Sequence, residues 1–191
     1  MPLLSYGEDN SDFSEIVSQM STLEGKFSQI VTDQSNNIIQ DVEGNFLFKK
    51  PNFFKWNYDK PFQSQIICDG ELLYLYDPDL KQVIISALSK LGGISPAMLL
   101  VSTSAAKHFN IRIVTRNNSQ FVFEAQPKKN QEATFKKVLI YFNNKKLSQM
   151  NIFDNFDHKT EILFKRLVSN KKINDASFLF NIPEDVDVIK N

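Results

Sequence analysis

Few residues of this chain have the type and spacing for covalent chemistry. Its two histidines, His108 and His158, stand far apart in sequence. His158 sits in Asp157-His158-Lys159, which reads as a solvated turn, and His108 precedes a predicted strand. The lone cysteine, Cys68, lies within a predicted strand and reads as a small buried hydrophobe rather than a nucleophile. With no second cysteine there is no intramolecular disulfide. No G-x-S-x-G, C-x-x-C or H-E-x-x-H spacing occurs, and no glycine-rich phosphate loop. Asp154, Asp157 and His158 could gather around a cation, but turns favour Asp for backbone hydrogen bonding alone. No catalytic residue, metal or cofactor is therefore expected.

The charged side chain with an unusual setting is Lys50. It ends a run in which Val42, Phe46, Phe48 and Lys50 hold alternate positions, and so one face, of a predicted strand. Phe54, Trp56 and Tyr58 share a face of the next strand. A buried ammonium is costly unless hydrogen-bonded. Lys50 therefore either snorkels past the turn to solvent or donates to backbone carbonyls at the mouth of whatever the rings enclose. The rings fit two pictures: a Phe-rich core, or the wall of a cavity that large flat side chains fill incompletely.

Positioning these side chains falls to strands. Lys50-Pro51-Asn52, Asp59-Lys60-Pro61 and Asp69-Gly70 divide residues 44–78 into short antiparallel strands. Strands are predicted at 25–32, 38–50, 53–58, 64–69, 72–77 and 82–86. After an interruption they resume at 109–116, 120–126, 134–143, 147–153 and 160–170. Gly44 marks a bulge or bend. Further lining candidates are Ile67 and Leu73 in the first group, and Ile111, Ile113, Met150 and Ile152 in the second. The face of Ile67 is ambiguous, because Ile66 and Ile67 together break the alternation.

Two helical stretches punctuate the strands. Ser11 or Asp12 can cap a short amphipathic helix carrying Phe13, Ile16, Val17 and Met20 at spacings of three and four, with Leu23 as its outer limit. Between residues 88 and 106, the pair Gly92-Gly93 makes a flexible joint. Pro96 then opens a short apolar helix with Met98, Leu99 and Leu100. A helix apolar nearly all round must be buried against something. It is either a lid over a cavity or a plug closing a barrel end.

About ten or eleven strands against two or three short helices predict a mainly β (α+β) fold. A flat open sheet of that size would expose both edges and one face. The expected form is thus a curved antiparallel sheet, an incomplete, half-open barrel, covered by short helices. One domain over 1–191 is the natural reading for this length. Lys plus Arg and Asp plus Glu number 22 each, so there is no basic excess to attract nucleic acid or anionic membrane. Phe accounts for 17 aromatics against one Trp and five Tyr, adding apolar area without a polar tip to satisfy. The apolar run at 97–101 is far too short to span a membrane, and the opening MPLLSYGEDN is too short for a signal peptide.

The order of these motifs resembles the LolA family of periplasmic outer-membrane lipoprotein carriers. The resemblance rests on Gly44, Phe46, Phe48, Lys50-Pro51-Asn52, Phe54, Trp56 and Tyr58. It continues through Asp69-Gly70, Leu73, Tyr74, Tyr76, Asp77-Pro78, Leu80 and Gln82-Val83. Phe27-Ser28-Gln29, the run 95–100 and the run 178–188 extend it over nearly the whole chain. Family members often carry Arg where this chain has Lys50. The resemblance implies a non-enzymatic, monomeric carrier in the periplasm, its signal peptide cleaved or omitted. It implies a cavity that takes the acyl chains of triacylated lipoproteins from the LolCDE ABC transporter and delivers them to the receptor LolB. It further implies that both helices act as a lid and that residue 50 latches the lid shut. Two alternatives stay open: a related half-barrel lipid binder, LolB-like or like the RseB sensor domain, and an acyl-ester hydrolase.

Overall fold

A computed structural model describes residues 6–88, 98–101, 108–129 and 133–191. Its strands are β1 Thr22–Thr32, β2 Ile38–Lys49, β3 Phe53–Lys60, β4 Ser64–Asp69, β5 Leu72–Asp77, β6 Gln82–Ala87, β7 Phe109–Arg116, β8 Gln120–Pro127, β9 Phe135–Asn143, β10 Lys146–Asp154, β11 Lys159–Ser169 and β12 Asp187–Lys190. Helix α1 is Tyr6–Ser18, α2 is Met98–Val101, and a 3-10 turn spans Asp175–Phe178.

All twelve strands belong to one open sheet, in the order β12-β6-β5-β4-β3-β2-β1-β11-β10-β9-β8-β7. Two antiparallel meanders, β1–β6 and β7–β11, are joined where β1 pairs with β11. Turn chemistry sets the breaks. Asp69 Oδ1 accepts the N–H groups of Glu71 and Leu72, and Gly70 takes φ 102°, closing the β4–β5 hairpin. Asp33 Oδ1 likewise accepts the N–H groups of Ser35 and Asn37 between β1 and β2.

Gly44 sits where the β2–β3 register shifts. A Cβ there would lie 1.9 Å from the Asn57 carbonyl and 2.7 Å from the Phe27 ring. The bare backbone lets Phe27 lie across β2 and start the ring stack described below.

The strands divide their side chains between two apolar layers. The inner face, under α1 and α2, holds the main core. The opposite face between β3 and β6 carries Phe53, Ile67, Tyr74, Tyr76 and Val83, with the C-terminal segment laid over it. Phe178 there is fully buried against Phe53, and Phe180 meets Tyr74 and Tyr76.

The structure corrects the sequence reading in three places. Among the described residues there are twelve strands, not ten or eleven, because β12 adds itself in parallel to the edge of β6. Helix α1 runs from Tyr6 to Ser18, so Ser11 and Asp12 lie inside it rather than capping it, while Met20 lies beyond its end and Leu23 in β1; Asp12 instead pairs with Arg116 of β7 at 3.0 Å. Ile67 faces away from the main core: Ile66 and Cys68 point inward, and Ile67 lies in register with Tyr74 on the outer layer.

Candidate functional site

The inner face is built around a stack of rings. Phe27 lies 4.2 Å from Trp56, Phe46 stacks on Trp56 at 5.4 Å, and Phe48 lies 4.9 Å from Phe46. Phe164 of β11 meets Phe46 edge-on, and Tyr58 does the same to Phe27. Offset and edge-to-face contacts of this kind add stabilisation beyond simple area burial. From α1, Phe13 reaches Phe123 at 5.2 Å and Phe142 at 6.4 Å, so the helix is set on the β8–β9 end of the same layer.

The structure places most of the expected lining residues together. Phe46, Phe48, Phe54, Trp56, Leu73, Ile111 and Met150 are buried in this cluster, and Tyr58, Ile113 and Ile152 pack against it. Val42 is buried on the same face beyond Gly44, outside the cluster. Of the expected cover, Phe13, Ile16, Val17, Leu99 and Leu100 are buried in the cluster, with Met20 against it. Met98 opens α2. Gly92, Gly93 and Pro96 lie outside the described residues.

Sequence reasoning missed Phe27, Ile66, Phe123, Phe142 and Phe164 as members of this layer. Their alternation was visible in the strands. What one strand cannot show is which neighbour its face meets. For Phe27 the available signal was Gly44, its partner across β1 and β2.

The cluster opens toward β5. Phe46, Trp56, Ile66, Leu75 and Ile84 stand opposite one another on five successive strands, making one apolar row. Phe46 and Trp56 are buried, Ile66 and Ile84 are half-buried, and Leu75 is 37% exposed. Hydrocarbon laid along that row would run from solvent to the indole.

Lys50 stands at another edge of the core. Its ammonium donates to the backbone carbonyl of Val17 in the last turn of α1. Of the two expected fates for this side chain, the structure has the bond to a carbonyl. Partial burial lowers the Lys50 pKa from its ordinary 10.5. Met20, Leu23, Phe48, Lys50 and Leu100 surround a crevice here with room for about one water. At this edge the core is filled by its own side chains.

The other titratable candidates do not converge on a reacting atom. Cys68 is fully buried, and burial pushes its thiol up to about 11. His158 Nδ1 lies 2.9 Å from Asp154, while Asp157 pairs with Lys136. Among the described residues no cluster of three metal-binding side chains occurs.

Fold and site together define a half-barrel whose inner face is an aromatic layer closed by short helices. The chain belongs to the LolA family: the model for "Outer membrane lipoprotein carrier protein LolA" matches residues 18–181. It is 39% identical to the outer-membrane lipoprotein carrier protein of Methylobacillus flagellatus, over 88% of this chain and 82% of that one. It is 33% identical to that of Nitrosomonas europaea, over 92% and 85%. Among solved structures, the fold is similar to a LolA superfamily protein from Nitrosomonas europaea, with TM-score 0.52 and 11% identity, covering 89% of this chain and 97% of that one. It is also similar to a conserved protein from Thermus thermophilus, with TM-score 0.61 and 9% identity, covering 95% and 99%. The family and its carrier-named members mark a binding protein rather than an enzyme.

Proposed function

We propose that this protein shields the acyl chains of a triacylated lipoprotein inside the aromatic layer while crossing the periplasm as a monomer. Residues 1–191 act as one unit in this role. The observation that carries the reading is the apolar row running from exposed Leu75 to buried Trp56, in a layer whose helical cover Lys50 ties to the β2–β3 turn. On this reading Val42, Phe46, Phe48, Phe54, Trp56, Tyr58, Leu73, Ile111, Ile113, Met150 and Ile152 form the lining. Phe13, Ile16, Val17, Leu99 and Leu100 on the helices, with Met20 just past the end of α1, form the lid, and Lys50 latches it.

The energetics explain why such a carrier needs partners. Each buried methylene contributes about 0.8 kcal/mol, so three long chains would cost tens of kcal/mol to release into water. Cargo must come from an energised donor, LolCDE, and pass directly to an acceptor, LolB. The lining rings of Phe27, Phe46, Phe48 and Trp56 already meet one another at centroid distances of 4.2–5.4 Å, so cargo that enters between them displaces native contacts. That competition keeps affinity moderate and lets the load move on.

The test is release of lipoprotein from spheroplasts. The expected result is a stoichiometric complex of this protein with intact, acylated lipoprotein. Absence of any complex would overturn the reading. Catalytic release of free fatty acid would point to a hydrolase instead.

A further inference from the structure

We propose that the indole N–H of Trp56 is a hydrogen-bond donor held in reserve for the carbonyl of a bound acyl chain. The assignment rests on the acyl-cavity reading above and adds a polar contact to it.

Trp56 is 8% exposed, and its Nε1 is buried without a hydrogen-bond partner in the structure. Around it are the rings of Phe27, Phe46, Phe48 and Phe164, none of which carries an acceptor oxygen or nitrogen. The neighbouring Tyr58 hydroxyl interacts with both Trp56 and Gln29 but does not meet the indole in hydrogen-bonding geometry. A buried unpaired donor ordinarily costs about 1–3 kcal/mol, and native structures rarely keep one without a use. Phenylalanine at this position would stack on the same rings without that cost. All four rings around it are phenylalanines, which makes the indole the exception to explain.

Location supplies the use. Trp56 stands where the open apolar row meets the buried stack. An alkyl chain lying on Ile66 and Leu75 needs no hydrogen bond. Its acyl carbonyl does, because an ester or amide oxygen drawn into an apolar layer loses its water. Pairing that acceptor with the waiting donor removes two penalties at once. The contact discriminates acyl chains, which carry a carbonyl, from plain alkyl chains, which do not.

The experiment compares two glycerolipids of equal chain length, one diester and one diether, in displacing bis-ANS from the full chain. Wild type is expected to prefer the diester about fivefold, the size of one net hydrogen bond. Trp56→Phe is expected to bind both equally. Lack of preference in wild type, or a preference kept by Trp56→Phe, would overturn the assignment. A second measurement needs no variant, because Trp56 is the chain's one tryptophan. Its emission should lie at longer wavelength with diester bound than with diether; identical maxima would also overturn the assignment. If neither lipid displaces the dye from wild type, the acyl-cavity reading fails, and the carbonyl contact fails with it.

Discussion

The ammonium of Lys50 donates to the backbone carbonyl of Val17, tying the β2–β3 turn to the last turn of α1. Val17 O also accepts the Met20 N–H at 3.1 Å and lies near the helix end, where the dipole favours a cation. Lysine offers three donors on a flexible stem, whereas arginine offers a planar fork. Lys50→Leu removes the charged donor, a loss of roughly 1.5–3 kcal/mol for a bond of this type. It should raise bis-ANS access to the inner face severalfold. Lys50→Arg should hold access at or below the wild-type level. Unchanged dye access in both variants would rule out the latch.

Gly44 makes a sharper structural demand. Its absent side chain leaves space that the Asn57 carbonyl and the Phe27 ring occupy. Gly44→Ala must push β3 away or turn Phe27 out of contact with Trp56. Either adjustment exceeds ordinary overpacking of about 1–3 kcal/mol. Urea unfolding should show a loss at or above the top of that range. An Ala variant within 0.5 kcal/mol of wild type, the scatter expected of an indifferent surface site, would mean the close approach is not required.

How far the sequence led depends on what each stretch encodes locally. Strands β4 and β5 came out residue for residue, because Asp69-Gly70 writes its own turn and the alternation on either side is regular. The ring-lined face of β2 and β3 was equally legible from period two. Ile67 was not: with Ile66 beside it, either residue could face inward, and the answer lies in a cover supplied by Phe178, more than a hundred residues on. The strand β12 was invisible for a related reason. All four of its residues are exposed, so no burial pattern marks it, and it is a strand only because β6 offers an unpaired edge. The start of α1 went astray because Asp is as good a helix cap as an ion-pair partner, and here Asp12 pairs with Arg116.

Cys68 gives a prediction in pH. Burial raises its thiol from 9.0 to about 11. In the unfolded chain the thiol ionises above 9.0, while the folded protein keeps its proton until about 11. The folded state then binds more protons across that window, so stability falls as pH rises. The contribution is complete below 9.0 and lost on passing about 11. Cys68→Ala, which has nothing to ionise, should unfold earlier than wild type at pH 8, and the gap should narrow or reverse by pH 11. A gap independent of pH would show that the thiol is not shielded. In native protein at pH 8 the thiol should also resist disulfide reagents that react freely after unfolding.

Phe178 tests whether the outer layer is a fastening or a coat. It is fully buried against Phe53, in a 3-10 turn whose Asp175 pairs with Lys49 and whose cap, Asn174, accepts the Ala176 N–H. The chain beyond it runs through Phe180 on Tyr74 and Tyr76 to β12 on the β6 edge. Because β12 buries none of its own side chains, four parallel pairings alone would not hold it; its attachment depends on the anchor upstream. Phe178→Ala removes a large core side chain at a cost of about 3–5 kcal/mol. Part of that cost falls on the C-terminal segment alone, since the inner layer does not contact Phe178. Hydrogen exchange should therefore quicken at Val188 and Ile189 while the inner strands β1 and β2 keep their protection. Equal acceleration in β1 and β2 would show that the two layers unfold together. Unchanged exchange at β12 would show that the edge strand holds by itself.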